Sequence, residues 1–243
     1  AGNDRSPGRP TATTTARRWR TMPWLVVLFG IMIVPLGAVS ITFIVIQPIV
    51  IGTWCSLCLV AAAAMLLQIP YSVDELVASG QLLLNRRRHG KSVLLAFLRG
   101  DTMEGGRRTP PDDFERPAMA IVKDMLGGGV NLPWPLAVSA ALGIGLMCTR
   151  LLFDTAGAQA DSDHLLGALI VTVSVTAMGE AARPARFINI LLAVALMFAP
   201  FMFDGGSLVA DLAGVAAGIL LIALSIPRGR IDNTYGAWSK YLV

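Results

Sequence analysis

Cys55 and Cys58 stand three residues apart in the run Gly52-Thr53-Trp54-Cys55-Ser56-Leu57-Cys58-Leu59, where a long apolar stretch begins. On a helix, residues at i and i+3 share a face, so both sulfurs fall within reach of a disulfide. A cysteine at a helix N-terminus also meets free amide donors and the positive end of the helix dipole, which favour its thiolate. Thiol–disulfide exchange is the chemistry such a pair could do. The competing reading is packing, because cysteine also serves as a small apolar residue in membrane helices. No metal site is expected: the only histidines are His89 and His164, and no second Cys-x-x-Cys completes four ligands. Cys148 is single and lies inside an apolar run, where packing is its expected role.

The elements that must position the pair are apolar runs. Of 243 residues, 54% are hydrophobic and 15% charged, and the apolar ones gather into runs separated by Arg-rich stretches. That distribution points to a lipid bilayer as solvent. The runs are Trp24 to Ile46, a second one ending near Pro70, Trp134 to Phe153, Leu165 to Met178, Phe187 to Phe203 and Leu208 to Ile226. Every backbone amide in a bilayer must be satisfied within its own segment or in a closed barrel, and runs without strand alternation choose the helix. The expected fold class is all-α, a polytopic helical membrane protein with about six transmembrane helices.

Charge placement tests that count. With six spans, nineteen of the twenty Lys and Arg residues fall on one side, and only Arg150 falls on the other, beside Asp154, Asp161, Asp163 and Asp204. The positive-inside rule then puts both termini in the cytoplasm and the Gln47–Trp54 connector, with the cysteine pair, on the outer or periplasmic side of the cell (inner) membrane. Disulfides persist on that side. A net charge of +4 would otherwise raise nucleic-acid binding, but these basic residues flank membrane runs, so no nucleic-acid partner is expected.

Four regions follow. Residues 1–20 form a mobile basic segment, opening at Ala1 without an initiator Met, so the start of the protein is expected upstream. Residues 21–99 hold the cysteine-bearing helix pair, followed by an interfacial helix begun by the capping box Ser72-Val73-Asp74-Glu75, and by a second short helix over Ser92 to Leu98. Residues 100–130 are a cytoplasmic linker with Gly-Gly, Arg-Arg and Pro-Pro pairs. Residues 131–243 form a four-helix membrane domain with a short tail and an internal duplication. Leu146-Met147 and Phe153-Asp154 recur 50 residues later, as Leu196-Met197 and Phe203-Asp204. Leu165 and Gly167 recur 47 residues later, as Leu212 and Gly214, which makes a parallel repeat of two hairpins.

The run Trp54-Cys55-Ser56-Leu57-Cys58-Leu59, together with Ile69-Pro70-Tyr71-Ser72-Val73-Asp74-Glu75, resembles the vitamin K epoxide reductase family over about residues 20–85. Residues 134–226 look like the SPW-repeat membrane module, with its signature degenerate at Ala199-Pro200-Phe201 and Cys148-Thr149-Arg150. The first resemblance implies a four-helix bundle around a quinone cofactor. It assigns Cys58 as the sulfur facing the quinone and Cys55 as the one exchanging disulfides with a thioredoxin-like or other thiol partner on the outer side. This chain matches only the family's last two core helices and lacks the second cysteine pair that many members carry.

The implied function is a membrane thiol–disulfide oxidoreductase, passing electrons from partner thiols through Cys55 and Cys58 to a membrane quinone. The alternative is a non-catalytic membrane protein that keeps a partial redox fold for packing or partner binding. A transporter built on the repeat is a third option. His164 and Asp211, at matching repeat positions near the outer helix ends, are expected to reach interfacial water instead of forming a site.

Overall fold

The computed structural model describes residues 22–90, 92–100, 132–227 and 229; the basic segment 1–20, most of the linker 100–130 and the tail beyond 229 lie outside the described residues. Within the described residues the elements are helices, with no strand. Helix α1 is Pro23–Ile46, opened by a proline at its first turn, where the missing N–H costs nothing. It passes directly into a π-helical turn, Gln47–Ile51, which ends at Gly52 in the left-handed region. That φ of 73° is one that glycine adopts without strain, and it frees the chain to turn back. Helix α2 then runs Ser56–Arg88, and the short α3, Val93–Arg99, is capped by the Ser92 hydroxyl, which accepts from the Leu95 N–H at 3.4 Å.

The second half comprises α4 (Trp134–Met147), a one-turn α5 (Thr149–Leu152), α6 (Gly157–Thr176), a 3₁₀ turn (Arg183–Phe187), α7 (Ile188–Met202) and α8 (Leu208–Ser225). Four segments are long and apolar enough to cross a membrane: Pro23–Ile51, Ser56–Arg88, Arg183–Met202 and Leu208–Ser225. Trp134–Met147 is apolar but shorter, and α6 carries Asp161, Asp163 and His164 within its first two turns. The all-α membrane class therefore holds, as a multi-pass bundle.

Three expectations change. No separate interfacial helix begins at Ser72: α2 continues unbroken through Pro70 to Arg88, and the buried Ser72 hydroxyl caps nothing. Packing overrides the local cap signal here. Asp74, fully buried, instead accepts from the Glu180 N–H at 2.9 Å and the Ala181 N–H at 2.7 Å, tying α2 to the turn after α6. Second, the helix that holds the apolar run from Leu165 starts eight residues earlier, at Gly157, so Asp161 and Asp163 lie within α6 and His164 lies in its second turn. Their polar groups find partners: Arg150 pairs with Asp161, and the Gln159 amide donates to Asp163 at 3.0 Å.

Third, the helix contacts do not follow the register that the sequence matches between the two hairpins imply. A Cβ on Gly167 would meet Gly143 O and Met147, whereas one on Gly218 would meet Ala193 O and Met197. Gly143 and Met147 correspond to Ala193 and Met197 at a shift of 50, so the contact-equivalent of Gly167 is Gly218. A Cβ on Gly214, its match by sequence, would have no atom within 4 Å. The two candidates differ by four residues, about one helical turn, which is the slip a stripe of small residues permits.

The helix pair and the second half share a core. Leu66 and Ile69 of α2 pack with Leu136 of α4, Val175 of α6 and Ala177 and Met178 beyond it. At the end of the bundle away from the cysteines, buried Arg183 donates to Met178 O at 3.2 Å, and buried Arg186 donates through Nε to Ser225 O at 3.1 Å. Each guanidinium supplies a donor to carbonyls at a helix C-terminus, where a positive charge is also favoured by the dipole.

Candidate functional site

The π turn that closes α1 sets the geometry of the cysteine connector. It buries Gln47, whose side-chain oxygen accepts from the Cys55 N–H at 3.2 Å. Cys55 is the residue before the first turn of α2, and its carbonyl accepts from Leu59 N at 3.0 Å, closing that turn. Its sulfur accepts from the Cys58 N–H at 3.3 Å. The thiol of Cys55 thus occupies the position that a serine or aspartate oxygen takes at an N-cap. Both cysteines are free thiols, Cys55 half-buried and Cys58 exposed.

Hydrogen bonding from the Cys58 side chain, reinforced by the Cys58 amide, holds the Cys55 thiol below the ordinary cysteine range. The thiolate of Cys55 is then present at a pH where a free cysteine is still protonated. In reduced protein, the rate of Cys55 alkylation is expected to rise with pH to a plateau, with a midpoint below that of an unperturbed cysteine. Cys58→Ala, which removes the first donor, moves the midpoint up; an unchanged midpoint in a pH series of iodoacetamide labelling counts against this cause.

The pair is where the spacing put it, at a helix start. Trp54 stands beside it, and the second half of the chain reaches it: the Trp54 ring meets His164 edge-to-face with centroids 5.2 Å apart. Cys148 is a half-buried free thiol at the break between α4 and α5. Asp211 lies in the first turn of α8, where an acidic group suits the dipole. Gln47 was not singled out by its type, and His164, expected to reach interfacial water, is instead buried at 4% exposure against Trp54 and the end of α1. For Gln47 the available signal was a lone polar residue beside Pro48 at the end of an apolar run.

These features define a multi-pass helical membrane protein with a paired-thiol centre at a helix N-terminus. Residues 10–73, about a quarter of the chain, match the model of the Vitamin K epoxide reductase family. The matched stretch includes α1, the connector with both cysteines, and α2 as far as Val73. No match to the chain was found among curated proteins or among solved structures.

Proposed function

We propose that the protein is a membrane thiol–disulfide oxidoreductase whose redox centre is Cys55 and Cys58. The observation that carries this reading is the Cys55 sulfur at the N-cap of α2, accepting the Cys58 amide, inside the stretch that matches a membrane redox family. A partner dithiol is oxidised through the Cys55–Cys58 disulfide. One partner thiolate attacks Cys55 and Cys58 leaves as the thiolate; the second partner thiolate then attacks the partner sulfur of the mixed disulfide and releases Cys55. The partner gains a disulfide, and the centre is left as a dithiol carrying two electrons and two protons.

A membrane quinone, bound from the bilayer, would take up those two electrons and two protons. Apolar residues close to Cys58 suit an apolar ring: Leu57, just before it, is 78% exposed and Val60, two residues after it, 68%. In this reading Cys58 faces the quinone and Cys55 the thiol partner, and the connector lies on the oxidising side of the cell membrane. The remainder of the bundle, with its SPW-like repeat, supports α2 from one flank.

The test is thiol trapping of membranes carrying the reduced full chain, with and without a short-chain ubiquinone or menaquinone analogue. Added quinone is expected to restore the Cys55–Cys58 disulfide, and an impermeant maleimide is expected to label the reduced pair from outside. Reoxidation indifferent to quinone sinks the electron route. Labelling from the cytosol alone sinks the orientation.

A further inference from the structure

His164 lies 120 residues from the α1 carbonyl it touches, on the far side of the linker, yet its ring closes two helix ends beside the cysteine connector. The first is the end of α1. Pro48 has no N–H, so it cannot supply the i+4 donor that an α-helix would direct to the Ile44 carbonyl. His164 Nε2 lies 3.1 Å from that oxygen. The second is the end of α4, which breaks at Cys148. The Leu151 N–H, which would close on the Met147 carbonyl in a continued helix, turns instead to Cys148 O at 2.9 Å. His164 Nδ1 lies 3.4 Å from Met147 O. A neutral imidazole has one N–H and serves one of these oxygens at a time, while the doubly protonated ring serves both. His164 is only 4% exposed, and its ring also meets Trp54 edge-to-face.

We infer that His164 is a positioning residue for the cysteine pair, lent by the second half of the chain. It fixes Ile44, three residues before Gln47, and Trp54, immediately before Cys55. Gln47 in turn holds the Cys55 amide, and the Cys55 sulfur is held by the Cys58 amide. Ring, proline-broken helix end, glutamine and N-cap sulfur form one continuous set of contacts. The four-helix part is therefore a component of the thiol centre and not a passive neighbour.

This inference rests on the oxidoreductase reading for its biological meaning, but its test reads the Cys55 thiolate alone. The full-length protein, reduced in detergent or native membranes, is compared with His164→Ala, His164→Gln and Asn189→Ala. Asn189 bonds Ser174 at 3.0 Å within the second half, at the opposite end of the bundle. His164→Ala is expected to slow Cys55 alkylation at neutral pH about tenfold, as misplacement of a reacting group does, and to move its pH midpoint upward. The midpoint potential of the pair moves to more negative values, because the reduced thiolate loses support. His164→Gln, whose amide carries two N–H donors, recovers most of the rate, and Asn189→Ala leaves the profile unchanged.

A wild-type profile in His164→Ala overturns the inference. So does an Asn189→Ala shift as large as that of His164→Ala, since general loosening would then explain both. If no disulfide ever forms between Cys55 and Cys58 while His164→Ala still slows alkylation, the oxidoreductase reading falls and the positioning role stands.

Discussion

Cys58→Ser protein, offered a biotinylated peptide disulfide at neutral pH, retains the peptide as a lasting mixed disulfide on Cys55. The Cys55 thiolate attacks one peptide sulfur and the other leaves as a thiol. With Cys58 present, its sulfur attacks Cys55 in the adduct, the second peptide thiol departs, and the label is transient. Serine keeps a hydroxyl donor where the Cys58 thiol stood, and the residue 58 amide still points at the Cys55 sulfur. Cys55→Ser protein is expected to label about tenfold more slowly, because Cys58 inherits no N-cap position and reactivity follows thiolate fraction. Streptavidin blots of non-reducing gels distinguish the variants. Equal labelling rates in the two serine variants would remove the asymmetry on which the assignment of roles depends.

The placement of the two cysteines at a helix start was legible in the sequence, and the reason is local. The i, i+3 spacing and the helix start are both properties of eight consecutive residues, so the cysteine pair needs no long-range information. The charge distribution is legible for a similar reason. Among the described residues, Arg86, Arg87, Arg88, Arg183 and Arg186 all lie at the end of the bundle away from Cys55, while Arg150 lies at the Cys55 end with Asp161. What could not be read is whatever depends on distant chain. Ser72 and Glu75 have the spacing of a capping box, but Asp74 between them is claimed by two amides more than 100 residues away. His164 has the sequence surroundings of an interfacial residue, with two aspartates just before it. Only the fold reveals that Pro48 and the α4 break leave carbonyls facing it.

The stretch Gly157 to Leu165 shows the same limit from another side. Asp161 and Asp163 precede the apolar run that begins at Leu165, yet a helix there keeps its backbone bonds while Arg150 and Gln159 answer the carboxylates. The adjoining loops complete the arrangement: Ala156 N–H donates to Gly205 O at 3.1 Å, joining the two connections at the cysteine end. Polarity in these turns marks a hydrogen-bonded cap on the bundle, and α6 needs it because its first turns carry the groups that face α1 and Trp54.

Gly167→Val is expected to disrupt both the fold and the thiol centre, for one geometric reason. A Cβ on Gly167 would fall 2.5 Å from Gly143 O and 3.0 Å from Met147 N, and a Cβ on Gly143 would fall 2.8 Å from Gly167 O. These are backbone atoms, so no side-chain rotation relieves the clash and α4 must part from α6. Overpacking of this kind costs about 3 kcal/mol, a fall in Tm of roughly ten degrees for a chain of this size. His164 lies three residues before Gly167 on α6, on the same face, and bonds the carbonyl of Met147, which also touches Gly167. Parting the helices therefore draws the imidazole away from α4, and Cys55 alkylation slows along with the loss of stability. Gly214→Val supplies the comparison, since a Cβ there meets nothing within 4 Å and both readouts are expected to stay near wild type. A Gly167→Val protein with unchanged Tm would contradict the close approach of α4 and α6. If Tm falls while Cys55 alkylation keeps its wild-type rate, the link from helix packing to the thiol centre fails instead.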